Sequence, residues 1–253
     1  MLDQLDLTQK LDKPAYKARL RPLQMQVAEL GRLARAQGIP VILIFEGWST
    51  AGKGDAIAEL TSSLDPRGYR VYNIVAPTQA EQQYPWMHRF FLKTPARGET
   101  AIFHGSWYRR VLFARVSRDI PETQWSRAFQ DIQSLERALA EDGTVIIKLW
   151  LHISRQEQRT RIKDLLKHEA TAWRVRDEER LQQKHYDEYV LAAEEMFGQT
   201  EAEFAPWTVI PATDRRYMKI RVFETIILRL ASVFPNLNGA AARPADVPSA
   251  EPR

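Results

Sequence analysis

Two hydrophobic patterns alternate along most of this chain. Short unbroken apolar runs, the clearest of which is Val-Ile-Leu-Ile-Phe at 41–45, are typical of strands buried on both faces of a parallel sheet. Longer segments repeat apolar residues every three or four positions, which is the spacing of an amphipathic helix. The predicted strands are 41–45, 70–75, 101–103, 144–151 and 207–210. The predicted helices are 14–36, 56–64, 79–93, 121–141, one that begins after Ser154, 177–197 and 214–234.

This alternation predicts an α/β fold, a three-layer sandwich in which a five-stranded parallel sheet carries helices on both faces. Ligands of such sheets bind at the carboxyl ends of the strands. The segments that follow the first four strands should therefore share one rim. Pro22 lies inside the first helical pattern, and it either kinks that helix or marks its start.

Composition narrows the class of protein without naming a function. Of 253 residues, 44% are hydrophobic and 27% are charged, which is enough apolar material for a sizeable core. The absence of cysteine excludes disulfides and thiolate metal sites. No apolar run approaches the roughly 20 residues that cross a bilayer, and no signal-peptide pattern opens the chain, so we predict a cytoplasmic protein without membrane contact. The net charge of +4 suits a polyanionic ligand, or no ligand at all.

A glycine-rich motif follows the first strand directly. Residues 47–53, Gly-Trp-Ser-Thr-Ala-Gly-Lys, match the first seven positions of the phosphate-binding P-loop pattern G-x-x-x-x-G-K-[ST]. Glycines let backbone N–H groups surround phosphate oxygens, and the following helix adds a partial positive charge. Lys53 would bring a cation to the phosphates, although Gly54 replaces the usual Ser or Thr. The alternative is a glycine-rich turn with a solvent-exposed lysine.

Several further motifs, in order, resemble those of the polyphosphate kinase 2 family. The resemblance covers about residues 5–234 and implies a P-loop kinase fold with a helical lid at about 155–180. It also implies phosphoryl transfer between inorganic polyphosphate and a nucleoside mono- or diphosphate, Mg²⁺ as cofactor, and a homo-oligomer, either a dimer or a tetramer. The motifs that carry it are FEGWSTAGKGDAI (45–57), LDPRGYRVYNIVAPT (64–78), SWYRR (106–110), KLWLHIS (148–154) and APWTVIPATDRR (205–216).

The resemblance assigns expected roles by position. Lys53 and Arg110 are implied as catalytic residues, and Arg161, Lys163 and Arg174 as lid residues. The implied phosphate-binding residues are Gly47, Ala51, Gly52, Lys53, Gly54, Arg67, Arg89 and Arg115. The predicted domain organisation is an N-terminal arm and helix at 1–38, a kinase domain at 39–235 and, from its composition rich in Pro, Ala, Asn and Gly, a disordered tail at 236–253.

Two positions depart from the family pattern, which has metal-binding aspartates there. Ser49 replaces the P-loop aspartate, and His104, followed by Gly105, replaces an Asp-Arg pair after the third strand. Because Mg²⁺ prefers carboxylate and phosphate oxygens, two hypotheses stay open. The chain is either an active phosphotransferase or a catalytically impaired member that binds polyphosphate or nucleotide as a partner subunit. Nucleic-acid binding is not expected, because no motif for it occurs.

Overall fold

A five-stranded sheet forms the centre of the molecule in the computed structural model, which describes residues 2–234. Its strands are β1 (Val41–Gly47), β2 (Tyr69–Asn73), β3 (Thr100–His104), β4 (Val145–His152) and β5 (Trp207–Pro211). They follow the order β2-β3-β1-β4-β5, and every neighbouring pair is parallel. The predicted five-stranded parallel sheet is therefore confirmed.

The central strand β1 is buried along its whole length, as its unbroken apolar run predicts. Its register pairs Phe45 with His104 on one side and Gly47 with Leu151 on the other. The loop after β1, the end of β3 and the end of β4 consequently meet at one edge of the sheet, which is where a ligand of this fold class binds.

Helices cover both faces of the sheet, which confirms the three-layer prediction. One group consists of α1, α2 and α10, and the other contains α4, α5 and α9. The helices are α1 (Lys13–Ala36), α2 (Lys53–Thr61), α3 (His88–Phe91), α4 (Phe113–Val116), α5 (Glu122–Glu141), α6 (Arg155–Leu166), α7 (Glu169–Ala172), α8 (Asp177–Lys184), α9 (Tyr186–Thr200) and α10 (Arg215–Ala231).

Two prolines inside predicted helices have different effects. The single helix predicted at 79–93 is wrong: the chain forms a 3₁₀ turn at Glu81–Gln83 and then α3. Tyr84 is extended (φ −114°, ψ 159°) because Pro85 disfavours a helical conformation in the residue before it. By contrast, α1 begins at Lys13 and continues through Pro22, so Pro22 does not mark its start.

The N-terminal segment packs on the domain, since Leu2 is 3% exposed and its N–H donates to the Glu194 carboxylate at 2.6 Å. Helix α1 packs against α10. The predicted disordered tail at 236–253 lies outside the described residues. None of the helices in residues 2–234 combines the length and apolar character needed to cross a bilayer.

A buried polar network supports the segment that follows β3. The Lys148 ammonium lies 2.8 Å from the Glu136 carboxylate, and the two side chains are 0% and 2% exposed. The same carboxylate accepts hydrogen bonds from the Tyr108 hydroxyl (2.7 Å) and the Trp107 indole N–H (3.0 Å). Lys148 also donates to the Thr200 carbonyl at 2.7 Å. Every strong polar group of this network thus has a partner, as buried charges require.

Candidate functional site

The glycine-rich loop has a backbone that few residues can adopt. Gly52 (φ 101°) and Thr50 (φ 64°) are both in the left-handed region, and α2 begins directly afterwards at Lys53. Gly47 (φ 123°) lies so close to β4 that a Cβ there would be 2.3 Å from the Leu151 carbonyl oxygen. The loop therefore wraps tightly between the end of β1 and the start of α2, with its amide groups near the helix N-terminus.

Lys53 points into this loop. Its ammonium donates to the carbonyls of Gly47 (2.8 Å) and Trp48 (2.9 Å). Burial lowers the pKa of Lys53, and the neighbouring carboxylates, first that of Glu46, oppose this shift. The geometry rules out the alternative of a solvent lysine on a plain turn, because the cation is held within the loop.

A cleft of about 770 Å³ opens at this edge of the sheet and brings together many of the residues singled out in the sequence. Cationic side chains that the sequence had not assigned to the site also line the cleft, namely Arg109, Arg176 and Arg215. The singled-out residues that line it are Gly47, Ser49, Gly52, Lys53, Gly54, His104, Arg161 and Arg174.

Arg109 and Arg110 lie on different sides of one short 3₁₀ helix (Trp107–Arg110), in which successive side chains diverge by about 120°. Arg109 enters the cleft, where it forms an ion pair with Glu178 at 2.5 Å. Arg110 lies over the Trp86 ring at 4.9 Å and lines a separate cavity of about 800 Å³. The structure thus places Arg109, and not the expected Arg110, beside the P-loop.

Two further expected phosphate-binding arginines lie away from the cleft. Arg67 precedes β2, so it lies at the amino ends of the strands, on the opposite edge of the sheet, where it pairs with Asp65 at 2.8 Å. Arg115 pairs with Glu195 at 2.7 Å and lies over the Trp125 ring at 4.0 Å. Their placement does not support the roles that the resemblance implies.

The remaining expected residues do not line the cleft. Arg89 pairs with Glu81 at 3.3 Å and donates to the Val75 carbonyl at 3.1 Å, behind the wall of the cleft. Ala51, a member of the loop, is fully buried. Lys163 is exposed on α6.

The helices α6, α7 and α8, here called the cover helices, lie over the P-loop in the segment expected to be a lid. Arg161 of α6 donates to the Thr50 carbonyl of the loop (2.9 Å) and to the Thr213 carbonyl after β5 (2.7 Å). The Ser154 hydroxyl caps the start of α6, and the Glu157 carboxylate pairs with Arg161 at 2.6 Å. Arg161 therefore links α6, the first of the cover helices, to two loops at the edge of the sheet.

At Ser49, where the family pattern has aspartate, the structure has a neutral network. The Ser49 N–H donates to Gln182 Oε1 at 2.5 Å, and Gln158 Nε2 donates to Ser49 Oγ at 3.1 Å. Both glutamines belong to the cover helices, and they are 0% (Gln158) and 3% (Gln182) exposed. The side-chain amides of two glutamines thus hydrogen-bond to this serine.

The second such position is also neutral. His104 lies with Nδ1 3.0 Å from the Asn73 side-chain oxygen. Burial, and then the nearby cations Lys53 and Arg176, lower the pKa of His104 to about 4. The imidazole is therefore uncharged at neutral pH, and a neutral imidazole is a poor ligand for Mg²⁺.

The carboxylates that do reach the cleft already have partners. Glu46 accepts from the Ser106 hydroxyl at 2.7 Å, and burial raises the pKa of Glu46. Glu179 accepts from a backbone N–H at 2.9 Å, while Glu178 pairs with Arg109 and Asp55 with an arginine of α10. Within residues 2–234, no three histidine or carboxylate side chains are placed to hold a metal ion. The donor set does not fit the protein-coordinated Mg²⁺ that the resemblance implies.

Comparisons with known proteins agree on one family. The family model described as Polyphosphate kinase 2 matches residues 10–235. The chain is 39% identical, over 226 residues, to a Polyphosphate:AMP phosphotransferase of Pseudomonas aeruginosa. That match covers 89% of this chain and 46% of the relative, so the chain spans about half the length of that protein.

Two other matches extend over most of both proteins. A GDP-polyphosphate phosphotransferase of Mycolicibacterium smegmatis is 30% identical, with 87% of this chain and 77% of that protein covered. The crystal structure of Polyphosphate Kinase 2 from Arthrobacter aurescens TC1 superimposes with a TM-score of 0.86 at 28% identity, and the match covers 92% of this chain and 86% of that one. The chain therefore belongs to the polyphosphate kinase 2 family.

Proposed function

We propose that this chain transfers a phosphoryl group between inorganic polyphosphate and a nucleoside mono- or diphosphate. The observation that carries the proposal is the convergence of Lys53, Arg109 and Arg176 on one cleft around a P-loop. The names of the relatives support the same chemistry, since they are phosphotransferases that use polyphosphate with AMP or GDP.

The chemistry suits this arrangement because phosphoryl transfer depends mainly on positioning and on neutralisation of charge. The cleft volume of about 770 Å³ lies within the usual range for small-ligand sites. Lys53 would exchange its two carbonyl partners for phosphate oxygens, and Arg109 would exchange Glu178 for phosphate. Charge-assisted hydrogen bonds to phosphate are stronger than those to neutral carbonyls, which favours the exchange at Lys53.

A turnover assay tests the proposal. The purified chain is mixed with Mg²⁺, polyphosphate and AMP or ADP, and the higher nucleotides are measured by ion-exchange chromatography. Lys53→Ala should lower the rate by about 10² or more, since it removes a cation aimed at the transferred group. Lys17→Ala, at an exposed position on α1, is the matched control and should leave the rate unchanged. Turnover that is the same in wild type and Lys53→Ala would contradict the proposal.

A second candidate is a family member that binds polyphosphate or nucleotide as a partner subunit without turnover. The neutral surroundings of Ser49 and His104 favour it, because both replace carboxylates of the family pattern. Under this alternative, Ser49→Asp with His104→Asp should create turnover that the wild type lacks. Gly105→Arg is left out of the variant, since Gly105 has φ 72° and an arginine there would be strained. A rate unchanged by the two aspartates would count against impairment through these positions.

We also propose that the chain forms a homo-oligomer, either a dimer or a tetramer. The resemblance to the family supports this assembly. Light scattering tests it, because the mass in solution should be two or four times the 29.3 kDa of one chain. A monomer at micromolar concentration would contradict it.

A further inference from the structure

The orientation of the Ser49 hydroxyl follows from its hydrogen bonds. Gln182 Oε1 accepts from the Ser49 backbone N–H at 2.5 Å, so the oxygen of this amide must face the loop. Gln182 Oε1 also faces Gln158 at 2.9 Å, and only the amide nitrogen of Gln158 can donate to it. The other hydrogen of that nitrogen is directed at Ser49 Oγ, at 3.1 Å.

Ser49 Oγ is consequently an acceptor within the network and keeps its own hydrogen for another partner. No described side chain or backbone group of residues 2–234 accepts from this hydroxyl, and Ser49 lines the cleft. The P-loop therefore offers a hydrogen-bond donor at the position where a carboxylate would offer a metal ligand. A donor suits an anion, whereas a carboxylate repels one unless a cation lies between them.

The charge of the cleft points the same way. Six cationic and five acidic side chains of the described residues line it. Aspartates at positions 49 and 104 would reverse the sign of this balance, and a phosphate chain would then need a cation to offset the repulsion. With Ser49 and a neutral His104, that requirement disappears.

We propose that the cleft binds a polyphosphate chain without a divalent cation, and that the Ser49 hydroxyl, held by Gln158 and Gln182, donates a hydrogen bond to one of its phosphate oxygens. This inference rests on the proposed function and deepens it, because it concerns the same cleft and the same class of substrate. Lys53 and Arg109 supply the cationic partners of the polyphosphate.

The test is a calorimetric titration of the full chain with sodium tripolyphosphate, in EDTA and in excess Mg²⁺. The wild type should bind in EDTA at least as tightly as in Mg²⁺. Ser49→Ala should weaken binding in EDTA about tenfold, the effect of losing a hydrogen bond to a charged group. Ser49→Thr keeps the hydroxyl and should bind within about threefold of the wild type. Ser49→Asp with His104→Asp should bind at least tenfold more weakly in EDTA than in Mg²⁺.

The wild-type comparison needs no variant that could fail to fold. Binding by the wild type that is tenfold or more tighter in Mg²⁺ than in EDTA would overturn the inference while leaving the proposed function intact. Equal binding by Ser49→Ala and the wild type in EDTA would overturn the role of the hydroxyl. No binding under either condition would overturn the inference, and the turnover assay with Lys53→Ala would then decide the proposed function separately.

Discussion

Replacing Lys148 by methionine should destabilise the fold strongly, because it leaves the Glu136 carboxylate buried without its cation. The two groups are 2.8 Å apart and nearly inaccessible to solvent. Breaking one partner of a buried pair costs about 3–5 kcal/mol. The Thr200 carbonyl loses a donor as well, a cost of about 1–3 kcal/mol that overlaps with the first. We therefore expect the free energy of unfolding to fall by about 3–5 kcal/mol in Lys148→Met.

Urea unfolding followed by tryptophan fluorescence measures this loss. The informative control is Lys148→Met combined with Glu136→Gln, since the amide oxygen can still accept from Trp107 and Tyr108 while no charge remains. Replacing a buried ion pair by neutral groups of similar size is often close to neutral, so the double variant should recover most of the loss. Lys163→Met, at an exposed position, should change stability by no more than about 0.5 kcal/mol.

Two outcomes would refute the reasoning. A loss below about 1 kcal/mol in the single variant would mean that the buried carboxylate does not need its cation. A double variant no more stable than the single one would mean that lost packing, and not the unpaired charge, causes the effect.

The remaining predictions concern binding and pH. Arg109→Ala should weaken tripolyphosphate binding about tenfold or more, whereas Arg67→Ala at the opposite edge should not change it; equal effects in calorimetry would contradict the placement of the two side chains. His152 is 5% exposed, accepts from the Trp48 indole at 3.0 Å, and has a pKa that burial lowers to about 4. Since the unfolded chain binds that proton near pH 6.5, stability should be full above this pH and fall toward pH 4. His152→Asn should flatten part of that decline in urea unfolding at pH 5 and 7, and an unchanged slope would contradict it.

The sheet and its glycine-rich loop could be predicted because their causes are local. The run at 41–45 is apolar at every position, which is typical of a strand covered on both sides, and β1 is buried throughout. Gly47, Gly52 and Lys53 stand at fixed spacing, so the motif itself specified the loop. The prediction of one helix at 79–93 is wrong for an equally local reason, because Pro85 disfavours a helical conformation at Tyr84.

Which side chains line the cleft could not be predicted, because it depends on three-dimensional packing that sequence motifs do not encode. Arg109 and Arg110 are adjacent, and which of them faces the cleft depends on the phase of a single 3₁₀ turn. Gln158 and Gln182 reach Ser49 across more than a hundred residues of chain, and no motif marks them. The placement of Arg67 could have been inferred, since a residue before a parallel strand lies at the opposite edge from a loop that follows one.

The close approach of Gly47 to β4 affects how mutational screens of this protein are interpreted. Any side chain there would meet the Leu151 carbonyl at a distance that atoms do not tolerate, so β1 and β4 would have to separate. Variants at Gly47 would then be lost from a selected library because the protein misfolds and its yield is low, whatever ligand the loop holds. Loss of activity on substitution of Gly47 therefore reflects strand pairing. Protein abundance must be measured together with activity before a contact between Gly47 and substrate is inferred.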